Sequence, residues 1–167
     1  FIAILPDVTI QREVTALKQE CALRFSASHA LASPPHITLH PPFPWNPARL
    51  GQLGDVINDF TVQQETFDIR LKGFNCFKSR VIYVDVEPNK ILARLQKGLV
   101  EHLKNEVGLA DEKGIRFHAH MTIAHRDLKH WVFPEAWAYF SQKEYSRRFK
   151  AESLSLMEHK KGRWEVY

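Results

Sequence analysis

The stretch "PPHITLHPPFPW", Pro34 to Trp45, sets a β-strand pattern between prolines. His36-Ile37-Thr38-Leu39-His40 alternates polar and apolar residues, with Pro34 and Pro35 before it and Pro41, Pro42 and Pro44 after it. Proline cannot donate to a sheet ladder and is tolerated only at strand starts, edges and bulges, so the paired segment is limited to about five residues. Strict alternation puts Ile37 and Leu39 on one face and His36, Thr38 and His40 together on the other. A row of His, Thr and His on a short, stiff strand suggests a site.

Working outward, the same paragraph of sequence occurs twice. "FIAIL" (1–5) reads as a strand, Pro6 and Asp7 as a stop and a helix N-cap, and positions 8–24 as an amphipathic helix with Val14, Leu17, Cys21 and Leu23 or Arg24 near helical spacing. The His-x-Thr strand follows. Asn46-Pro47 then opens a second helix carrying Leu50, Leu53, Val56, Ile57 and Phe60 on one face. After a strand over 67–77, "VIYVDV" (81–86) restarts the pattern, and Pro88 takes the role of Pro6. A helix follows with Ile91, Leu92, Leu95, Leu99, Leu103 and Val107 in helical spacing and Gly108 as its stop. Then comes "FHAHMTIAH" (117–125), again His-x-Thr within an apolar alternation. Thirty positions separate Pro6 from His36, and thirty-two separate Pro88 from His120. A trailing helix near 134–142 and a strand pair within 151–167, turning at Lys161-Gly162, complete the reading.

A repeat of about 80 residues is too long for a solenoid unit and points to a duplicated lobe. The expected fold class is α+β: two pseudo-twofold-related lobes, each a mainly antiparallel sheet backed by helices, with a central cleft lined by 36–40 and 118–122. The expected organisation is a single two-lobed domain over 1–167, the first repeat about 1–78 and the second about 79–167, with room for strand exchange between lobes.

Composition sets the outer limits. An apolar fraction of 44% and a charged fraction of 25% are ordinary for a globular protein. No apolar run approaches the roughly 18 residues that cross a membrane, and no charged leader with a signal segment is read. Two cysteines, Cys21 and Cys76, make neither a disulfide framework nor a CxxC metal pair, so a reducing cytoplasm is the expected location. The net charge of +4 permits an anionic substrate without requiring one.

The two motifs, His36-Ile37-Thr38-Leu39 and His120-Met121-Thr122-Ile123, resemble the paired His-hydrophobic-Thr/Ser-hydrophobic signature of the two-histidine phosphoesterase superfamily, the LigT-like or 2'-5' RNA ligase-like proteins. The resemblance implies a 2',3'-cyclic phosphodiesterase acting on a nucleotide or RNA terminus, giving a 2'-phosphate, with reversible 2'-5' RNA ligation as a further activity. It also implies that His120 takes the proton of water and His36 protonates the leaving 3' oxygen, although the pseudo-twofold makes these roles nearly interchangeable.

The residues support that chemistry on their own terms. Opening a cyclic phosphate needs a base and an acid, and histidine serves as either near pH 7. Thr38 and Thr122, two residues along, can donate hydroxyl hydrogen bonds to the non-bridging phosphate oxygens. No metal or other cofactor is required, and a monomer without an obligate protein partner is expected. A single strand histidine is more often structural than catalytic; the paired occurrence singles out His36 and His120. His40 and His118 share the motif faces by alternation and are candidate substrate contacts, whereas His125 falls on the opposite face and reads as structural. Phe43 and Trp45 are candidates either to stack on a base or to pin their loop to the core. The resemblance implies that the turn carrying Phe77, Lys78 and Arg80 reaches the cleft, and Arg126, close after the second motif, is a further candidate phosphate contact. Two rivals remain. One is a zinc hydrolase using His36, His40, His118 and His120, which leaves both threonines idle. The other is a non-catalytic binder of nucleotides or RNA ends.

Overall fold

The structure is a computed structural model that describes residues 1–77, 79–110 and 116–167. Lys78, a sequence candidate, lies outside the described residues. The elements are β1 (Ile2–Ile4), α1 (Val8–Phe25), β2 (Ile37–His40), α2 (Leu50–Thr61), β3 (Phe67–Phe77), β4 (Val81–Val86), α3 (Lys90–Val107), β5 (His120–Ala124), α4 (Phe133–Ser141), β6 (Ser146–Ala151), β7 (Ser155–Lys160) and β8 (Arg163–Val166).

They form two four-stranded sheets, in the orders β2-β1-β7-β8 and β5-β4-β3-β6, with antiparallel pairs throughout. The fold is therefore two-lobed α+β. Chain order and sheet membership cross over: β3 joins the second sheet, and the β7–β8 hairpin completes the first. That hairpin turns through Lys161 (φ 48°) and Gly162 (φ 82°), the two left-handed positions that a type I′ turn demands. The helices cross over as well, α1 packing on β5 and α3 on β2. One continuous core, from Ile2, Ile4, Ile37 and Leu39 through Ile69, Ile82, Met121 and Ile123 to the helices, ties both lobes together.

Local chemistry sets the helix ends. Asp7 Oδ1 accepts from the N–H groups of Thr9 and Ile10 at 2.9 and 3.0 Å to start α1. Asn89 does the same for Ile91 and Leu92 at α3. Gly108 (φ 70°) closes α3 in the left-handed conformation.

Three expectations are corrected. The buried stripe of α1 is Ile10, Val14, Lys18, Cys21 and Phe25, while Leu23 is 87% exposed. Asn46 caps as expected, its Oδ1 accepting from the Ala48 N–H at 3.0 Å with Pro47 next, but this first turn is 3-10 over Pro47–Arg49 and the α-helix begins only at Leu50. The apolar alternation read over 117–125 forms a ladder only over His120–Ala124, with β4 paired as far as Asp85 opposite His120. Strand β6 carried no expectation.

Candidate active site

Strands β2 and β5 are edge strands of their sheets and lie against each other, so the two His-x-Thr motifs meet at the seam between the lobes. This accounts for the prolines around the first motif: an edge strand has one free side, and a missing N–H costs little there.

The two histidines are built alike. His36 precedes β2 and its Nδ1 lies 2.7 Å from the Pro34 carbonyl; His120 opens β5 and its Nδ1 lies 2.7 Å from the His118 carbonyl. A carbonyl oxygen only accepts, so each Nδ1 carries a proton and each Nε2 is left to do chemistry. An aromatic wall backs each ring. The Phe1 ring lies 4.7 Å from His36, and the Phe77 and Tyr83 rings lie 5.0 and 5.1 Å from His120. Thr38 and Thr122 sit half-buried two residues after each histidine, opposite Ala3 and Tyr83 in the neighbouring strands.

Their electrostatics differ. Burial pushes His36 down to about 4 against the pull of the Pro34 carbonyl, and the charges of Lys18, His120 and His125 push the same way. His120 is also lowered by burial, while the His118 carbonyl and the Asp85 carboxylate oppose the shift and the His118 charge adds to it.

Of the other sequence candidates, His118 and Phe77 join the group. His118 Nε2 lies 3.3 Å from the Tyr83 hydroxyl and 3.8 Å from Asp85 Oδ1, and the Phe77 ring stands 5.2 Å from His118. His40 does not. Both ladders slip by one residue, between Ile2 and Ala3 on one side and between Ile82 and Tyr83 on the other, leaving Leu39 and Ile123 as bulged residues. A bulge breaks the two-residue period, so His40 turns inward, 1% exposed, with Nδ1 2.9 Å from the Pro41 carbonyl. The Leu39 carbonyl accepts from Gln96 Nε2 at 3.1 Å.

His125, read as structural, lies half-buried just past β5 with its ring 4.9 Å from that of His29. Phe43 and Trp45 pack on the main core, Phe43 against the buried His40, and Trp45 Nε1 donates to the Arg49 carbonyl at 3.1 Å. These contacts pin the loop. Arg80 is exposed on the β3–β4 turn, its N–H donating to the Phe77 carbonyl at 3.0 Å, and Arg126 is exposed just after β5 with φ 55°.

Sequence reading missed Tyr83, Asp85 and Lys18. The first two were readable as the alternate positions of "VIYVDV", on the face opposite Ile82, Val84 and Val86, where Tyr83 is buried against the His118 and His120 rings. Lys18 showed as a cation within an apolar helical stripe. Among the described residues, no group of three or more His, Cys, Asp or Glu could hold a metal ion, so the four-histidine zinc set is not assembled. Nor is any described helix long and apolar enough to cross a membrane.

Comparison with known proteins agrees with this architecture. The family model described as "2'-5' RNA ligase superfamily" matches residues 6–163. A protein of Geobacillus sp. (strain WCH70) named "Putative phosphoesterase" is 26% identical over 169 residues, covering 99% of this chain and 91% of its own. One of Oceanobacillus iheyensis with the same description is 29% identical over 174 residues, covering 99% and 93%. Among solved structures, TT0787 of Thermus thermophilus superposes with a TM-score of 0.70 at 16% identity, over 100% of this chain and 92% of that one. Escherichia coli LigT complexed with 3'-AMP superposes with a TM-score of 0.64 at 16% identity, over 99% and 91%. The fold is LigT-like, and the chain belongs to the 2'-5' RNA ligase superfamily, a family of phosphoesterases.

Proposed function

We propose that this protein opens 2',3'-cyclic phosphates on RNA ends or nucleotides by general acid–base catalysis between His36 and His120, without a metal ion. The observation that carries the reading is the matched pair of histidines at the lobe seam, each with Nδ1 tied to the carbonyl two residues earlier. The 3'-AMP bound by the LigT relative supports a nucleotide ligand of this kind.

In this scheme one Nε2 takes a proton from water as its oxygen attacks phosphorus. The bond from phosphorus to the 3' oxygen breaks, and the other imidazolium gives that oxygen a proton, leaving a 2'-phosphate and a free 3'-hydroxyl. The Thr38 and Thr122 hydroxyls donate to the non-bridging oxygens as charge builds on them. A 5'-hydroxyl of a second RNA in place of water would give a 2'-5' linkage. We assign His36 as base and His120 as acid, the reverse of the order implied by resemblance: burial, with the Lys18 charge adding to it, disfavours the His36 cation, while at His120 the Asp85 carboxylate opposes the lowering by burial.

The test is a substrate panel of 2',3'-cyclic nucleotides, RNA ending in a cyclic phosphate, ADP-ribose cyclic phosphate and 2'-5'-linked oligonucleotides. Turnover of a cyclic phosphate to a 2'-phosphate, lost in His36→Ala and His120→Ala, is expected. Binding of these ligands without turnover would make the protein a binder instead.

A further inference from the structure

Lys18 occupies the middle of the apolar stripe of α1 and is 2% exposed. A buried ammonium is costly unless its donors are satisfied. Here Nζ donates to the Ala30 carbonyl at 3.0 Å and to the Ser33 carbonyl at 2.8 Å. Both acceptors belong to the segment that leads into the first motif. That segment is also held at its start: Asp127 Oδ2, just beyond β5, accepts from the N–H groups of Ser28 and His29 at 2.7 and 2.8 Å. It ends at Pro34, whose carbonyl fixes the His36 ring. Residues 28–34 thus form a strap between the two motif strands, and Lys18 clamps its last turn.

Resting on the proposed role of His36 in catalysis, we infer that Lys18 is a positioning residue for that histidine: its ammonium, bonded to the Ala30 and Ser33 carbonyls, fixes the strap that presents the Pro34 carbonyl to Nδ1 and so leaves Nε2 free to take a proton. Burial is the largest cause disfavouring the His36 cation, and among the described residues the charges of Lys18 from α1, His120 from β5 and His125 from the β5 exit add to it. Burial lowers Lys18 itself to about 8, so it remains mostly charged near neutral pH. Lys18 touches no reacting atom in this scheme. A purely structural lysine would affect folding and activity at every pH alike.

The experiment is an NMR titration of the His36 imidazole nitrogens in the resting protein, with kcat against pH, for Lys18→Gln and Lys18→Arg. Lys18→Gln keeps amide donors for the two carbonyls and removes the charge. It should raise the His36 titration midpoint and move the acidic limb of kcat to higher pH, with a loss that grows as pH falls below 6 and vanishes toward pH 8. Lys18→Arg keeps the charge and should leave the midpoint in place, and it decides the matter should Lys18→Gln not fold. A folded Lys18→Gln protein with an unchanged His36 midpoint, or a Lys18→Arg midpoint raised as far as that of a neutral variant would be, overturns the inference. The titration needs no turnover, so its result stands apart from any failure of the catalytic reading.

Discussion

His36 and His120 are held by the same bond: in each, Nδ1 sits 2.7 Å from the carbonyl of the residue two positions earlier. Two rings in separate sheets are thus set in the same tautomer at the same seam. Burial lowers both; the charges of Lys18 and His125 add to it at His36, and the Asp85 carboxylate opposes it at His120.

Removing either ring should remove a proton-transfer step. His36→Ala and His120→Ala are expected to lower kcat by roughly two to four orders of magnitude while circular dichroism and Tm stay near wild type. Thr38→Ala and Thr122→Ala should cost less, about ten- to a thousandfold, since a hydroxyl donor stabilises charge without moving a proton. Wild-type turnover by His36→Ala on the preferred substrate refutes the assignment.

The acid and base roles separate on a substrate whose leaving group needs no proton. With sulfur replacing the bridging 3' oxygen of the cyclic phosphate, His120→Ala should recover most of its lost rate and His36→Ala should not. Recovery in His36→Ala instead assigns His36 as the acid.

Stability should fall in mild acid. His36 and His125 are each lowered from 6.5 to about 4 in the folded protein. Between those values the unfolded chain binds more protons than the folded one, so their contribution is whole above about pH 6.5 and is lost as pH drops toward 4. The carboxylates Glu13 and Glu20 lie below 4.5 in the fold and act only further into acid. Tm should therefore decline from pH 7 to 5, and less steeply in His125→Gln. A flat Tm over that range contradicts the burial argument.

His40 tests the bulge. Because the slip at Leu39 turns it into the core, His40→Ala should destabilise the fold by about 2–4 kcal/mol. The kcat of the folded fraction should stay within roughly tenfold of wild type. A raised KM with unchanged Tm would mean that His40 reaches substrate.

These residues also mark how far the sequence could be read. The order of strands and helices follows from periodicity, caps and prolines, and the two motifs stand at matching points of the repeat. A bulge leaves no such mark: His36-Ile37-Thr38-Leu39-His40 alternates perfectly as text, and only the ladder reveals that Leu39 is the extra residue. Lys18 hid the true stripe of α1 by placing a cation among Ile10, Val14, Cys21 and Phe25. Strand β6 was invisible because only Phe149 and Ala151 are buried, while Arg147 spends its guanidinium on Glu13 at 2.8 Å. Sheet membership depended on long-range pairing, Phe67 with Ala151 and Ala3 with Ser155, which no local pattern encodes.

The most direct measurement is the pH dependence of kcat for hydrolysis of an RNA 2',3'-cyclic phosphate, with and without a chelator. One histidine must be neutral and the other protonated, so the account predicts a bell-shaped curve that the chelator leaves unchanged. A rate that climbs steadily into alkali and depends fully on an added divalent ion would point to metal-bound hydroxide and contradict the two-histidine mechanism.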